Sequence, residues 1–271
     1  MATEPQWQLT ALLLLEKNNP VKHQMMKKIF YPFSLLAIMT IIFVACEKDY
    51  DKSEPITPPI PQTASWKEGF SDFSQLGAKG WVITNNTDRP GPEAWRKGRF
   101  ESTNKYTFGF DYVVGFPAYS AERSQNDFIS VDMYAGAGSA NMSVWLFTPV
   151  TKMKNGDQLT FWSRAHIDDG SFSSKDGTDR MEIRLNKTNV GTNVGNDWTS
   201  VGDYSTLLTS INPNLTFGEY PEVWTKYTVT LSGIAGTIDG RFAFRYFVTG
   251  GGPDGNNAGM VGVDEVEFIS K

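Results

Sequence analysis

The pattern that most limits the fold of this chain is a series of short, alternating apolar segments separated by turn-forming residues. In Arg180–Leu185 every second residue is apolar, which places Met181, Ile183 and Leu185 on one face of a half-buried strand. Helical periodicity is nearly absent after residue 64. Many short strands joined by Gly, Asn and Asp turns are typical of an all-β, two-sheet antiparallel jelly-roll sandwich.

Nine segments have this strand-like spacing or composition. They are Ser65–Phe73, Gly80–Thr84, Tyr106–Val114, Ser143–Phe147, Gln158–Ala165, Arg180–Leu185, Trp224–Leu231, Arg241–Val248 and Met260–Ile269. Between two of them, Asn155-Gly156-Asp157 is a turn signal associated with β-hairpins. We therefore expect a hairpin there, within a single β domain that spans residues 65–271.

The N-terminal part of the chain has a different composition. Lys27-Lys28 precede an apolar run from Ile29 to Ala45, which is the order of charge and apolar residues in an export signal. The run ends in Phe43-Val44-Ala45-Cys46, which is similar to a bacterial lipobox, where the cysteine is lipidated before cleavage. A transmembrane helix is the alternative, because roughly 17 apolar residues are close to the minimum that spans a bilayer.

These features divide the chain into segments. We interpret residues 1–24 as an upstream mis-start, residues 25–45 as a lipoprotein signal peptide, and residues 46–64 as an acidic, proline-rich tether. The acidic residues that follow Cys46 resemble the export signal of Bacteroidota surface lipoproteins. We therefore expect a lipid-anchored outer-membrane protein exposed on the cell surface, the alternative being that these charges only solvate the tether.

Charge and residue content exclude several classes of function. Residues 1–45 hold four of the 25 basic and two of the 30 acidic residues, so the remainder has a net charge of −7. This charge argues against nucleic acid or anionic lipid as the main partner. Cys46 is the one cysteine, which rules out a disulfide framework and a cysteine-based metal site.

Catalytic signatures are also missing from the sequence. His166 is the only histidine after residue 45, and neither an HExxH motif, a G-x-S-x-G motif nor a P-loop is present. We therefore expect no enzymatic activity. A glycoside hydrolase is the third alternative, since Asp168, Asp169, Asp176 and Asp179 supply carboxylates in one loop region.

Three groups of segments occur along the chain in a distinctive order. They are Trp66–Phe70 with Gly80-Trp81 and Trp95, then Trp145–Pro149 with Asn155–Trp162, then Gly240–Tyr246 with Val261–Val266. Together they resemble the choice-of-anchor J family, which is related to the cleaved adhesin domains of Bacteroidota surface proteins. The resemblance covers nearly all of residues 65–271. It implies a jelly roll that binds rather than catalyses, and it does not fix the ligand.

Calcium is the cofactor we expect, because jelly-roll domains often hold this ion between their first and last strands. That placement brings Glu68 near Asp264, and Asp88 lies in the loop that is often Asp-rich in the resembling family. Carboxylate oxygens are the ligands that Ca²⁺ prefers. We therefore predict a structural Ca²⁺ with Glu68, Asp88 and Asp264 as ligands. The alternative is that these carboxylates bond to turn backbones or pair with arginine.

Aromatic side chains in loop-like sequence are the candidate ligand-binding residues. They are Trp95, Trp198, Tyr204 and Tyr220. Of the tryptophans inside strand segments, most are expected in the core; these are Trp66, Trp81, Trp145 and Trp162. Flat aromatic faces stack on sugar rings, so we predict a surface-tethered module that binds extracellular carbohydrate. The alternative is a structural or protein-interaction module, which would expose a broad apolar patch to a surface protein.

Overall fold

The computed structural model describes residues 64–103, 112–166 and 178–271. This part of the chain forms fourteen β-strands and two short 3-10 turns, at Phe73–Gln75 and Met133–Ala135. The strands are β1 (Trp66–Glu68), β2 (Val82–Asn85), β3 (Arg96–Lys97), β4 (Phe100–Thr103), β5 (Tyr112–Gly115), β6 (Ile129–Asp132), β7 (Ala140–Phe147), β8 (Thr151–Met153), β9 (Gln158–Ala165), β10 (Met181–Asn186), β11 (Thr206–Ile211), β12 (Thr225–Thr230), β13 (Ile238–Gly251) and β14 (Met260–Ile269).

Two six-stranded antiparallel sheets make up the sandwich. The first sheet has the order β12-β9-β14-β6-β3, with β1 added to β14. The second has the order β11-β10-β13-β7-β2, with β8 added to β13, and β4 and β5 form a separate ribbon. The predicted fold class, an all-β antiparallel sandwich, is confirmed.

The core lies between the two sheets and is built by period-2 alternation. On β9, Leu159 and Phe161 point inward and are fully buried. Across the interface the Phe161 ring meets the Phe244 ring of β13 edge-on, with 5.0 Å between centroids. Edge-to-face aromatic pairs add about 0.5–1.5 kcal/mol to the stabilisation from burial alone. The inward rings of β9 and β13 therefore pack against each other across the two sheets.

The Asn155-Gly156 turn does not form the predicted hairpin. β8 precedes the turn and pairs with β13, whereas β9 follows it and pairs with β12 and β14. The turn therefore connects the two sheets. The Asn155 side chain binds the backbone of Ile234 through both its amide nitrogen and its oxygen, which fixes the turn against a distant loop.

A loop covers part of the outer face of each sheet. Residues 116–128, here called the platform loop, lie on the first sheet, where a Cβ at Gly262 would come within 2.7 Å of the Phe116 ring. Residues 187–205, the second-sheet loop, place Tyr204 against Trp145 on the second sheet. This cover explains why the polar face of β10, which the alternation predicts to be exposed, is largely buried at Glu182.

The N-terminal predictions fall on another part of the chain. The signal peptide, Cys46 and nearly all of the tether lie outside the described residues. Within the described ranges, no helix has the length and apolar character needed to cross a membrane.

Candidate functional site

The candidate site begins with the orientation of Trp162 on β9. Because Leu159 and Phe161 face the core, Thr160, Trp162 and Arg164 face outward. The tryptophan is half-buried on the outer face of the first sheet, so it is not one of the strand tryptophans that pack in the core. A large aromatic side chain on the outward face of a strand needs a packing partner outside the core.

That partner is Tyr119 of the platform loop. The Tyr119 and Trp162 rings stack with 3.8 Å between centroids and 17° between planes. Tyr119 is 45% exposed even though Trp162 covers one face of its ring. Trp224 approaches the tyrosine edge-on at 6.5 Å, and its indole Nε1 donates to the carbonyl of Pro117. We call Tyr119, Trp162 and Trp224 the aromatic platform.

The platform loop is held in place by Asp264. This residue lies directly opposite Trp162 in the pairing of β14 with β9. Its Oδ2 accepts a hydrogen bond of 3.0 Å from the backbone N–H of Ser120, and its Oδ1 accepts one of 2.7 Å from Glu265. Burial raises the pKa of Asp264 to about 7, against the opposing effect of these N–H groups. The carboxylate therefore anchors the segment that presents Tyr119.

A second layer of aromatic rings supports the platform from below. Phe116 stacks on Phe128 with 5.1 Å between centroids, and Trp224 meets Phe116 edge-on at 5.5 Å. The Arg164 guanidinium lies 4.5 Å from the centre of the Phe116 ring. These contacts leave the platform little freedom to collapse, so its exposed face is pre-organised.

Polar side chains continue from the platform along β9 and β12. Lys226 is exposed and pairs in register with Trp162, and Thr228 pairs with Thr160 one step further along. At the end of the row Gln158 donates to the hydroxyl of Thr230. An aromatic surface beside a row of hydrogen-bonding groups is the arrangement that an amphipathic ligand such as a sugar requires.

Three of the predicted ligand-binding aromatics are core residues instead. Trp95 is 3% exposed and donates through Nε1 to the carbonyl of Val144. Tyr204 and Tyr220 are fully buried, the first with its hydroxyl bonded to Gly191 and the second within 2.7 Å of the Ser163 hydroxyl. These three rings have no exposed face on which a sugar ring could stack, so those predictions are corrected.

Trp198, the fourth candidate, is half-buried in the second-sheet loop. Its ring packs against Phe247 at 5.8 Å, and its carbonyl accepts a hydrogen bond from Arg245. It lies on the opposite sheet from the aromatic platform. The structure therefore does not bring it together with Tyr119.

The structure does not assemble the three predicted calcium ligands into one site. Glu68 accepts from the backbone N–H of Phe70 and pairs with Lys79 at 2.7 Å. Asp264 is engaged by backbone N–H groups, as described above, and Asp88 accepts from the backbone and side chain of Asn141. Over the described ranges, no group of three or more His, Cys, Asp or Glu residues is placed to hold a metal ion. These carboxylates do not fit a shared ion as arranged, and calcium binding stays a prediction.

The structure describes only some of the residues considered for catalysis, so it does not test the prediction that the chain has no enzymatic activity. Asp179 is buried, where its carboxylate accepts hydrogen bonds from the Tyr246 hydroxyl and from Gly259. His166 donates its backbone N–H to Met260. The other carboxylates that would serve a glycosidase, Asp168, Asp169 and Asp176, lie outside the described residues.

Comparisons with known proteins give structural neighbours only. The chain matches no protein-family profile and no curated protein sequence. The K1 cleaved adhesin domain of Lys-gingipain from Porphyromonas gingivalis W83 is 20% identical, with a TM-score of 0.43 over 77% of this chain and 99% of that one. The family 11 carbohydrate-binding module of Clostridium thermocellum is 13% identical, with a TM-score of 0.34 over 77% of this chain and 98% of that one.

A third neighbour is the glycoside hydrolase domain of Endo-D from Streptococcus pneumoniae R6. It is 12% identical, with a TM-score of 0.34 over 77% of this chain and 28% of that one. At these identities the likeness concerns the architecture alone.

Proposed function

We propose that this chain is a non-catalytic binding module that holds an extracellular carbohydrate on the aromatic platform. The observation that carries the proposal is the Tyr119 ring, which is 45% exposed yet stacked on Trp162 at 3.8 Å. A half-exposed ring with rigid backing offers a flat apolar face at little cost in conformational entropy. The C–H faces of a sugar ring complement such a surface.

The row of polar side chains beside the platform supplies the second requirement. Sugar hydroxyls need donors and acceptors, and Lys226, Thr228 and Gln158 line one side of the tryptophan. A single stacked ring contributes about 1–3 kcal/mol by analogy with base–aromatic stacking. One site of this size gives weak affinity, and many copies on one surface would raise it through avidity.

A location at the cell surface belongs to the same proposal. The lipobox-like Phe43-Val44-Ala45-Cys46 would place acyl chains on Cys46, and two or three such chains anchor a protein stably where one does not. The acidic tether would then hold the domain away from the outer membrane. We also propose, on the ordered segments quoted above, that the domain belongs with the choice-of-anchor J and cleaved adhesin domains.

A protein-interaction module is the second candidate, and one observation favours it. Val223 is 67% exposed directly before Trp224, so the platform has an apolar neighbour that a sugar would not need. A protein partner would cover both. Binding to a peptide or protein surface would depend on Val223, whereas carbohydrate stacking would not.

A glycan array tests the proposal, with the chain from residue 47 onward as the probe. We expect one class of glycan to bind, with binding lost in Tyr119→Ala and retained in Trp198→Ala. Loss in Trp198→Ala alone would move the site to the second sheet. An array without any binder, together with a protein partner whose capture requires Val223, would replace the carbohydrate proposal by the protein-interaction one.

A further inference from the structure

Two arginines on one face of β13 differ in whether neighbouring groups compensate their charge. Arg241 and Arg245 are four residues apart, so both point to the outer face of the second sheet. Arg241 is 4% exposed and Arg245 is 1% exposed. A guanidinium stays charged at every physiological pH, so each of these buried groups requires compensation.

Arg245 receives that compensation from the protein. Its Nη1 lies 3.1 Å from the Glu182 carboxylate, and its Nε donates to the Ser143 hydroxyl at 3.0 Å. Its Nη2 donates to the carbonyls of Trp198 and Ser200 in the second-sheet loop. Every nitrogen of this guanidinium has an acceptor.

The residues that the structure describes provide no carboxylate or other acceptor to compensate the buried charge of Arg241. Its Nε is sealed from solvent without a hydrogen-bond acceptor. No carboxylate of the described ranges lies within ion-pair distance of its guanidinium. The two terminal nitrogens are not among the sealed atoms, so they retain a small contact with solvent although the residue as a whole is 4% exposed.

The walls around Arg241 are polar on two sides. Asn186 of β10 pairs with it in register, and Tyr204 of the second-sheet loop lies near it. The Tyr204 hydroxyl donates to the carbonyl of Gly191. Burial lowers the pKa of Arg241, as expected for a cation without a partner.

We propose that Arg241 is the floor of an anion-binding site that takes a planar or tetrahedral oxyanion, that is, a carboxylate, sulfate or phosphate group. A flat guanidinium fork matches two oxygens of such a group through parallel N–H···O bonds. The site lies on the second sheet, on the opposite side of the sandwich from the aromatic platform. It is therefore independent of the proposed carbohydrate site.

The first test measures the melting temperature of the full chain in sodium sulfate, sodium phosphate and sodium glucuronate, against sodium chloride at equal ionic strength. We expect a saturable rise with at least one oxyanion, because a ligand that binds only the native state stabilises it. The anion that gives the rise identifies the source as inorganic or sugar-borne. The rise should be absent in Arg241→Met.

The matched control is Arg180→Met, directly before β10 and at the end of that strand away from Arg241, which loses a hydrogen bond of 2.7 Å to the carbonyl of Phe247. Its melting temperature should drop, and its response to the anion should persist. In chloride alone, Arg241→Met should melt at the wild-type temperature or above it, because the substitution removes an unpaired buried charge.

Two results would overturn the proposal. One is the absence of a saturable rise with all three oxyanions, and the other is an equal rise in wild type and Arg241→Met. If Arg241→Met does not fold, the wild-type protein is titrated with the same oxyanions while its arginine Nε–H signals are observed by NMR. A single saturable Nε–H shift that disappears in Arg241→Lys supports the site, and unchanged signals contradict it.

Discussion

Arg245→Met is the substitution whose cost the structure predicts most directly. The change keeps an unbranched apolar side chain and removes the guanidinium with its charge. It separates the second sheet from its loop, because Arg245 joins Glu182 and Ser143 of the sheet to the carbonyl of Trp198. It also removes a guanidinium that lies 3.7 Å from the centre of the Phe247 ring.

The expected loss of stability in Arg245→Met depends on which buried groups the substitution leaves without a partner. Removing one partner of a buried ion pair costs about 3–5 kcal/mol. Glu182 retains Arg184 at 2.7 Å, so the lower end of that range applies, about 3 kcal/mol. For a domain of this size, each kcal/mol lowers the melting temperature by about 2–4 °C, which gives a drop of about 6–12 °C.

Urea unfolding followed by tryptophan fluorescence measures the free energy of unfolding. The control is Arg99→Met, which breaks a pair with Glu101 in which both side chains are about half exposed. Such surface pairs contribute about 0–1 kcal/mol. If Arg245→Met costs less than about 1 kcal/mol, or no more than the control, the buried network does not hold the second-sheet loop in place.

Three further predictions concern other parts of the chain. Because the pKa of Asp264 is raised to about 7, the free energy of unfolding should fall as the pH rises from about 4 to 7. The fall should be shallower in Asp264→Asn, and equal slopes in the two proteins would contradict this prediction. Because Lys79 occupies the Glu68 carboxylate, a calcium-dependent rise in melting temperature should be larger in Lys79→Met than in wild type, and equal rises or none would exclude Glu68 as a ligand. Cys46→Ala should leave an uncleaved precursor without labelled palmitate, and continued labelling would disprove lipidation there.

The fold could be predicted from the sequence because it depends on local alternation. Gln158–Ala165 and Met260–Ile269 are strands with the predicted bounds. In the second of them a bulge after Asp264 shifts the inward residues from Val261 and Val263 to Val266 and Phe268. Strand pairing, in contrast, depends on contacts between distant parts of the chain. The Asn155-Gly156 turn therefore has the local signal of a hairpin although the strands on its two sides belong to different sheets. Its true partner, Ile234, is 79 residues away, and no local pattern reveals such a contact.

The candidate site was harder to predict, since exposure depends on which loop covers which face. Trp95 and Tyr220 lie in loop-like sequence, yet both loops fold into the core. Tyr119 has no distinctive neighbours, and Trp224 begins a predicted strand. The one available signal was Trp162, which occupies the outward phase of β9 between Thr160 and Arg164 and therefore requires a partner outside the core.

The binding of a glycan ligand to Tyr119→Ala, compared with Tyr134→Ala, tests the central claim most directly. The two tyrosines are 45% and 46% exposed, but Tyr134 belongs to the 3-10 turn Met133–Ala135 and not to the platform loop. Loss of one stacked ring should weaken binding about 10- to 100-fold in Tyr119→Ala, with little change in melting temperature. Tyr134→Ala should bind as wild type does. Equal affinities in the two variants would show that the platform is not the binding site.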